Sequence, residues 1–576
     1  MFSLIWSHLG YRDTIETGFL VICLILFWFV PRFMNRVFAA FETAGARFAS
    51  NKRAALLAIT SAVLVIRLCI LPLVPVPFPK VHDEFSYLLA GDTFAHGRLT
   101  NPPHPMWLFF DTIHVNQHPS YMSKYPPAQG AVLALGEMLG HPWIGVLLSC
   151  AAMCAVMVWA LQGWLPSRWA FLGALIFTLH VGIFSYWMNS YWGGAVAVTG
   201  GALVTGAFSR ITRTWRFRDA LLLGLGAVTL ANSRPFEGLI FCIPVTLGLF
   251  FALCKRWRGI WRRALPQVIA PLCVIAALCG AFMAYYNWRG TGNWLLSPYV
   301  LNDRNYLGLP AFVWQAPRPP LQHTSPQLDN FYNGWVRDFW FQGRINSFRT
   351  LGGTTVHDVA RVAYFFLWPE LCFLVPVLVV VWHDKKYRTL FIQLVICLCG
   401  FVLVHWFYPH YAAPLTPVLF VLLTQAIRHV RYWEHRSRPI GVGFSRAIVF
   451  SVLALAPFHD RHYPIVPSGM DRRARLSAQL NLIPGEHLVI VHYSKEHDPS
   501  AEWVYNAADI DHAKIVWARE IPGVDLHPLL NYFGFRRVWL VNPDIPTLGL
   551  SSYSERALPV NEFCENSPGS VSTNAR

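Results

Sequence analysis

Ala264–Trp288 reads ALPQVIAPLCVIAALCGAFMAYYNW and carries no Asp, Glu, Lys or Arg. A helix rises about 1.5 Å per residue, so some twenty such residues cover the ~30 Å hydrocarbon layer of a bilayer. Working outward, Met138–Ser167, Trp169–Ser209 and Thr389–Ile427 are equally free of charge, and the last two are each long enough for a pair of spans. The whole chain agrees: its 576 residues are 54% hydrophobic, 15% aromatic and only 14% charged, where a soluble domain carries about 25% charged residues. Disorder, a coiled coil, nucleic-acid binding and a single soluble fold are excluded on this arithmetic. The fold class expected is mainly α: a polytopic helical membrane protein of about 11–12 spans with a small C-terminal α/β domain.

Candidate spans lie near 19–31, 54–74, 142–164, 169–187, 193–209, 219–232, 239–254, 265–286, 360–382, 389–407, 411–427 and 440–458. The first is short and reads either as a span or as an interfacial helix. The last contains Arg446, which is expected to snorkel. The connections alternate in charge. Arg32–Arg53, Arg168, Arg210–Arg218, Lys255–Arg263, Asp384–Arg388 and Arg428–Arg446 hold 23 Lys/Arg and three acids. Between them lie Pro75–Ala128, with three basic residues and four acids, and short neutral turns. By the positive-inside rule the basic set is cytoplasmic and the other set faces outward. The net charge of +16 is therefore a statement about orientation: from Phe458 onward there are 11 Lys/Arg against 14 Asp/Glu, which leaves 36 against 17 in the rest. Eleven of the twelve cysteines fall in apolar stretches without metal or disulfide spacing and read as packing residues.

This divides the chain into an apolar segment and basic linker at 1–53, a transmembrane domain at 54–458, a soluble α/β domain at 463–558, and a tail at 559–576 expected to be disordered. The long outward loops 75–128 and 287–359 are rich in Pro, Trp, Tyr and Asn, and loops of this length are usually functional. In the C-terminal domain His487–Tyr493 and Arg536–Val541 read as buried strands, with Ile515–Ala518 as a third, and Ala501–Asp509 and Leu526–Phe533 read as helices.

Chemistry concentrates where the first outward loop opens, at His82-Asp83-Glu84-Phe85-Ser86-Tyr87. Four prolines (72, 75, 77, 79) end the preceding span and force an extended exit. The residues after them have helical spacing, with Phe85, Leu88, Leu89 and Thr93 on one side and Asp83 and Tyr87 on the other. That predicts an amphipathic helix lying on the outer leaflet and presenting two carboxylates. The same acids also suit a helix N-terminus as plain first-turn residues. The loop closes with Ser123-Lys124-Tyr125-Pro126-Pro127, and Lys124 is the sole Lys or Arg between Arg98 and Arg168. A lone ammonium beside two prolines suits an anionic partner such as a phosphate, or snorkels at the interface. Arg234, Arg289, Arg337 and His410 are further outward groups able to hold phosphate, and equally able to serve the interface.

Taken in order, the acid pair with Tyr87 after the first main span, the glycine turn at 95–99 and Lys124-x-Pro-Pro entering the next span resemble the GT-C fold polyprenyl-phosphate-sugar glycosyltransferases. The nearest are the protein O-mannosyltransferases and the bacterial aminoarabinose and lipopolysaccharide-core transferases. The motifs cover about Ala54–Trp192. Beyond that the likeness is one of topology, plus Tyr408-Pro409-His410-Tyr411-Ala412-Ala413-Pro414, similar to the His/Arg-Tyr-x-x-Pro entry of a late span in that family. The resemblance implies a multi-pass protein of the plasma (inner) membrane with its site on the outer face. It would move a sugar from a polyprenyl-phosphate donor to a hydroxyl of a glycan, lipid or protein, with inversion. Asp83 would orient or deprotonate the acceptor. The substrate contacts implied are Glu84, Tyr87, Lys124, Tyr125, Arg234, His410 and Tyr411. The chain departs from the pattern at Ser123, where the aminoarabinose branch has an acid, and at Met188–Gly194, where several members place a second acid. Metal binding is thereby left open. Any divalent ion would fall to Asp83, Glu84 and Asp92.

Glu370 interrupts the apolar run Val362–Trp382, and an intramembrane acid is a functional residue by default. It defines the competing class, a transporter or lipid flippase. Such a protein would show inverted repeats, and none is visible. A scaffold whose C-terminal domain binds a partner is the third reading.

Overall fold

Gly194–Thr214 is the helix around which the apolar half of the protein is arranged. In the computed structural model, which describes residues 11–255, 257–342, 348–367, 369, 371–405, 407–458, 469–545 and 550–553, it packs against Pro142–Trp164, Phe217–Ala231, Pro235–Lys255 and Thr416–Arg431. Small residues allow the approach: a Cβ on Gly201 would lie 2.2 Å from the Pro414 carbonyl oxygen. This is how helices associate where burial of oily surface gives no advantage. Among the described residues five helices are long and apolar enough to cross a bilayer: Pro142–Trp164, Gly194–Thr214, Pro235–Lys255, Gly259–Thr291 and Pro409–Arg431. The bent pair Thr355–Leu367 and Cys372–His383 makes a sixth if it counts as one span. The remaining segments expected to span are also helical, among them Tyr11–Phe29, Lys52–Cys69, Arg388–Phe401 and Ile440–Leu455.

Arg446 does not snorkel. It is 6% exposed, and its guanidinium meets Glu42 (Nε to Oε1, 3.0 Å) and Asn35 (Oδ1, 2.8 Å). The linker helix Asn35–Ser50 supplies the counter-ion, so the charge has no need to reach water. All eleven described cysteines are free thiols. Glu370 lies outside the described residues.

The first long loop contains the helix His82–Ala95, a short helix Trp107–Phe110 and an antiparallel pair, Val115–Asn116 with Met122–Ser123. The pair brings the end of the loop back beside its beginning, and the Ser86 and Ser123 hydroxyls lie 2.8 Å apart. The helix Pro127–Met138, with Pro at its first turn, then leaves the loop and packs along His82–Ala95. Gly130 sets that distance: a Cβ there would lie 2.7 Å from the Ala90 Cβ and 2.8 Å from the Phe94 ring.

Near the C-terminus, Ile515–Arg519, His487–Val491 and Arg537–Val541 form a parallel sheet in that order, with Ser551–Ser552 antiparallel at the edge. Helices Met470–Leu482 and His527–Tyr532 accompany it. Ala501–Asp509 is not helical. Its backbone groups are taken by side chains instead: the Arg473 guanidinium donates to the Trp503 and Tyr505 carbonyls, Trp503 N–H donates to the Tyr493 hydroxyl, and Val504 N–H donates to Glu502. Side-chain partners of this kind compete directly with a helical ladder.

This extended segment also explains why His82–Ala95 is not a surface amphipath. Phe85, Leu89, Phe109, Phe110, Val115 and Tyr121 share one apolar core with the C-terminal sheet. Tyr505 stacks on Phe85 at 4.3 Å, the Tyr121 hydroxyl donates to the Asn506 carbonyl, and Ala508 N–H donates to the Asp92 carboxylate at 2.7 Å. The helix expected to rest on lipid is covered on both faces by protein.

Candidate active site

A cavity of about 480 Å³ opens where the two long loops meet the helix ends. Asp83, Tyr87, Lys124, Tyr125, Arg234, His410 and Tyr411 all line it. The first two are one helical turn apart on His82–Ala95. Lys124 and Tyr125 follow the strand Met122–Ser123, Arg234 opens Pro235–Lys255, and His410 and Tyr411 open the last of the five long helices.

Asp83 is the best-held group. One of its oxygens accepts from the Tyr125 hydroxyl, His82 Nδ1 lies 3.1 Å from the other, and His114 Nε2 lies 3.9 Å from the first. Tyr125 is itself fixed by stacking on Tyr87, with ring centroids 4.4 Å apart. Burial pushes the Asp83 carboxyl up, but His82 and the Tyr125 hydroxyl outweigh it and hold the group well below the usual carboxylate range. This environment favours its carboxylate form. His114 is pushed well down, first by burial and then by the Lys124 ammonium, so its imidazole is neutral.

Lys124 is 5% exposed. Its ammonium lies 3.7 Å from Asp303 Oδ1 and 4.7 Å from the Tyr299 ring centroid. Burial lowers the Lys124 pKa, against the pull of Asp303 and Asp83. The same burial raises Asp303 to about 6 despite the neighbouring ammonium. This is an ion pair out of water, and its long contact leaves Asp303 Oδ1 without a hydrogen bond. The Arg234 guanidinium sits 4.3 Å over the Tyr411 ring. Burial opposes its charge, but Tyr87, Tyr411 and Glu237 more than restore it. His410 Nδ1 is 2.9 Å from the Tyr186 hydroxyl, and its ring stacks on Tyr408 and meets Trp192 at 4.6 Å.

Two residues expected at the site are elsewhere. Glu84 is fully buried on the far side of the helix turn, and its carboxylate accepts from the Lys80 and Tyr191 backbone N–H groups. It ties the loop to the turn before Gly194–Thr214 and does not reach the cavity. Asp92 faces His96 at 2.9 Å and the C-terminal segment. A metal set of Asp83, Glu84 and Asp92 is therefore ruled out, because three acids on one helix at these positions point in different directions. Among the described residues two groups converge closely enough to hold an ion: His82, Asp83 and His114, and Asp92, His96 and Glu137. The first, two imidazoles and a carboxylate, is the donor set that suits a zinc-like cation, and the buried Nδ1 of His114 has no hydrogen-bond partner. Arg289 and Arg337 do not line the cavity either.

Sequence reading did not find His82, His114, Tyr299, Asp303, Tyr332 or Tyr408, all of which line the cavity. His82 and His114 flank the motif and carry the donor types that a search for metal-ligand clusters would register. Tyr299 and Asp303 sit on a short helix and a π-helical turn inside the second loop, where no local period marks them.

No protein-family model matches the chain, and no curated protein matches it in sequence. Among solved structures it is similar to ArnT from Cupriavidus metallidurans bound to undecaprenyl phosphate, at 13% identity over 84% of this chain and 92% of that one, with a TM-score of 0.45. It is also similar to an Archaeoglobus fulgidus oligosaccharyltransferase in complex with Zn and sulfate, at 11% identity over 76% of this chain, with a TM-score of 0.46. Of that second protein the match covers 60%. The archaeal oligosaccharyltransferase AglB in complex with an inhibitory peptide and a dolichol-phosphate matches at 9% identity and a TM-score of 0.36.

Proposed function

We propose that the chain is a membrane glycosyltransferase of the GT-C type, moving a sugar from a polyprenyl-phosphate donor to a hydroxyl acceptor on the outer face of the plasma membrane. The observation that carries this reading is the convergence of one ionised carboxylate, Asp83, and two cations, the buried Lys124 and the half-buried Arg234, on a single cavity walled largely by apolar and aromatic side chains. Residues such as Met283, Leu307, Phe312 and Trp335 offer an isoprenoid chain a dry wall. An ordinary aqueous pocket would not combine that wall with unhydrated positive charge.

In this reading the acceptor oxygen bonds to the anomeric carbon from the face opposite the phosphate. The bond from that carbon to the phosphate oxygen breaks, its electron pair stays on the phosphate, and the hydroxyl proton passes to Asp83. The developing charge on the leaving monoester is met by Lys124 and Arg234, cations held in a water-poor site where they act most strongly. A carboxylate as acidic as Asp83 is a weak base toward a resting hydroxyl. It first orients that hydroxyl and takes the proton late, when bond formation has made the oxygen acidic. Tyr125 and His82 keep it ionised and aimed. The group His82, Asp83 and His114 would be the seat of a divalent cation, which would supply Lewis acidity beside the acceptor.

Purified protein in lipid nanodiscs, supplied with polyprenyl-phosphate-linked sugars and candidate acceptors, should release polyprenyl phosphate as sugar is transferred. Asp83→Asn and Lys124→Ala should each slow this by roughly 10²–10³-fold. Undiminished transfer by Asp83→Asn would overturn the reading.

A further inference from the structure

A second cavity, of about 330 Å³, adjoins the first and shares Val300, Asp303, Ala311 and Phe312 with it. Its far wall is built by a closed turn. Gly308, at φ 61°, ends the π-helical segment Asp303–Leu307, and Arg318 N–H donates back to the Gly308 carbonyl at 3.0 Å. The ring so formed brings Arg304, Arg318 and Gln315 to one opening. Arg304 and Arg318 are exposed at this opening, and among the described residues neither has a carboxylate partner. The acid in this wall, Asp303, is engaged with Lys124 on the other side. Behind Arg318, Arg337 donates one nitrogen to the Arg318 carbonyl at 3.2 Å, and its other terminal nitrogen is buried without a partner. Unpaired guanidinium groups around a concave opening are what an oxyanion with several acceptor oxygens requires.

We infer that this cavity is a subsite for an anionic group, a phosphate or carboxylate, carried by the acceptor. Calling the bound molecule an acceptor rests on the proposed transferase reading, but the anion site itself does not depend on any transfer. A molecule seated on Arg304 and Arg318 has its next atoms at the shared wall, and so beside the cavity that holds Asp83. The acceptor class this selects is an acidic glycan or a lipid with an anionic headgroup.

The test is binding of inorganic pyrophosphate to the full chain in phosphatidylcholine nanodiscs, followed by calorimetry. Binding should persist in Lys124→Ala and weaken roughly tenfold or more in Arg304→Gln/Arg318→Gln. Arg304→Lys/Arg318→Lys should recover part of it, and this separates loss of charge from misfolding. Adding phosphatidylglycerol to the nanodiscs distinguishes the sources. Competition with pyrophosphate that vanishes in Arg304→Gln/Arg318→Gln identifies a lipid headgroup as an occupant, and no competition leaves a water-borne anion. Parent-like pyrophosphate binding by Arg304→Gln/Arg318→Gln, or complete loss in Lys124→Ala alone, would overturn the subsite. Failure of the transferase reading would show separately, as absent transfer with this binding intact.

Discussion

The two long loops reach the same cavity by different routes. The first carries Asp83 on a helix, which Gly130 lets the helix Pro127–Met138 approach closely, and Lys124 directly after the strand pair. The second carries Tyr299 and Asp303 on a five-residue helix that runs into a π-helical turn. Where spacing is regular, residues one turn apart, such as Asp83 and Tyr87, stand on one face and can be read in the chain. Where the backbone turns on π-geometry, the partner of Lys124 appears only in three dimensions. The contrast also divides labour, since the first loop holds the carboxylate and the ammonium while the second modulates the ammonium.

Breaking the first loop should have the largest effect. Gly130→Val places branched carbon where a single Cβ already lies 2.7 Å from Ala90, and overpacking of this kind costs about 1–3 kcal/mol. Thermal unfolding should drop by several degrees and transfer should fall below detection. If Gly130→Val is active, the packing does not set the site.

Tyr125→Phe removes the hydroxyl that Asp83 accepts from while keeping the stack on Tyr87. A hydrogen bond to a charged group contributes about 1.5–3 kcal/mol. Transfer should therefore fall roughly ten- to hundredfold, with kcat affected more than KM. Because the hydroxyl helps hold the Asp83 pKa down, the acid limb of the rate profile should also move toward neutral pH. An unmoved limb would mean that Tyr125 only packs.

The second loop should respond more mildly, through pH. Asp303 is raised to about 6 by burial, so it is an anion competing for Lys124 above that pH and neutral below it. The donor proposed above is a phosphodiester that does not titrate there, and its KM should fall as pH is lowered from neutral through about 6. Asp303→Asn should give the low KM at every pH. A parent-like slope in this variant would remove Asp303 from donor binding.

The smallest effect is expected at the far face of the aspartate helix. Tyr505→Phe keeps the stack on Phe85 and loses only the long contact from the hydroxyl to the Ile113 carbonyl, 3.4 Å, so stability should fall by about 1 kcal/mol or less and transfer should stay parent-like. Urea unfolding followed alongside transfer would show both.

Much of the architecture was legible because charge-free runs and alternating basic connections leave few alternatives, and helices occur at the predicted places. Asp83 and Tyr87 were legible because they stand one turn apart on a regular helix, and Lys124 because no other Lys or Arg lies between Arg98 and Arg168. Glu84 was misread because an acid beside another acid gives no sign of its direction, and its partner, Tyr191 N–H, is 107 residues away. Ala501–Asp509 has helical composition, but Arg473, Glu502 and Tyr493 satisfy its backbone in an extended form. Arg446 was taken for a snorkelling charge because Glu42 is 404 residues away.

The central claim is that Lys124 binds the carrier's phosphate while Asp83 acts on the acceptor in the same cavity. Titrating polyprenyl phosphate into reconstituted protein, with transfer measured on the same samples, tests this most directly. Lys124→Ala should bind the lipid phosphate at least tenfold more weakly. Asp83→Asn should bind it like the parent and yet not transfer. Lipid-phosphate binding indifferent to Lys124, or transfer indifferent to Asp83, would contradict the account.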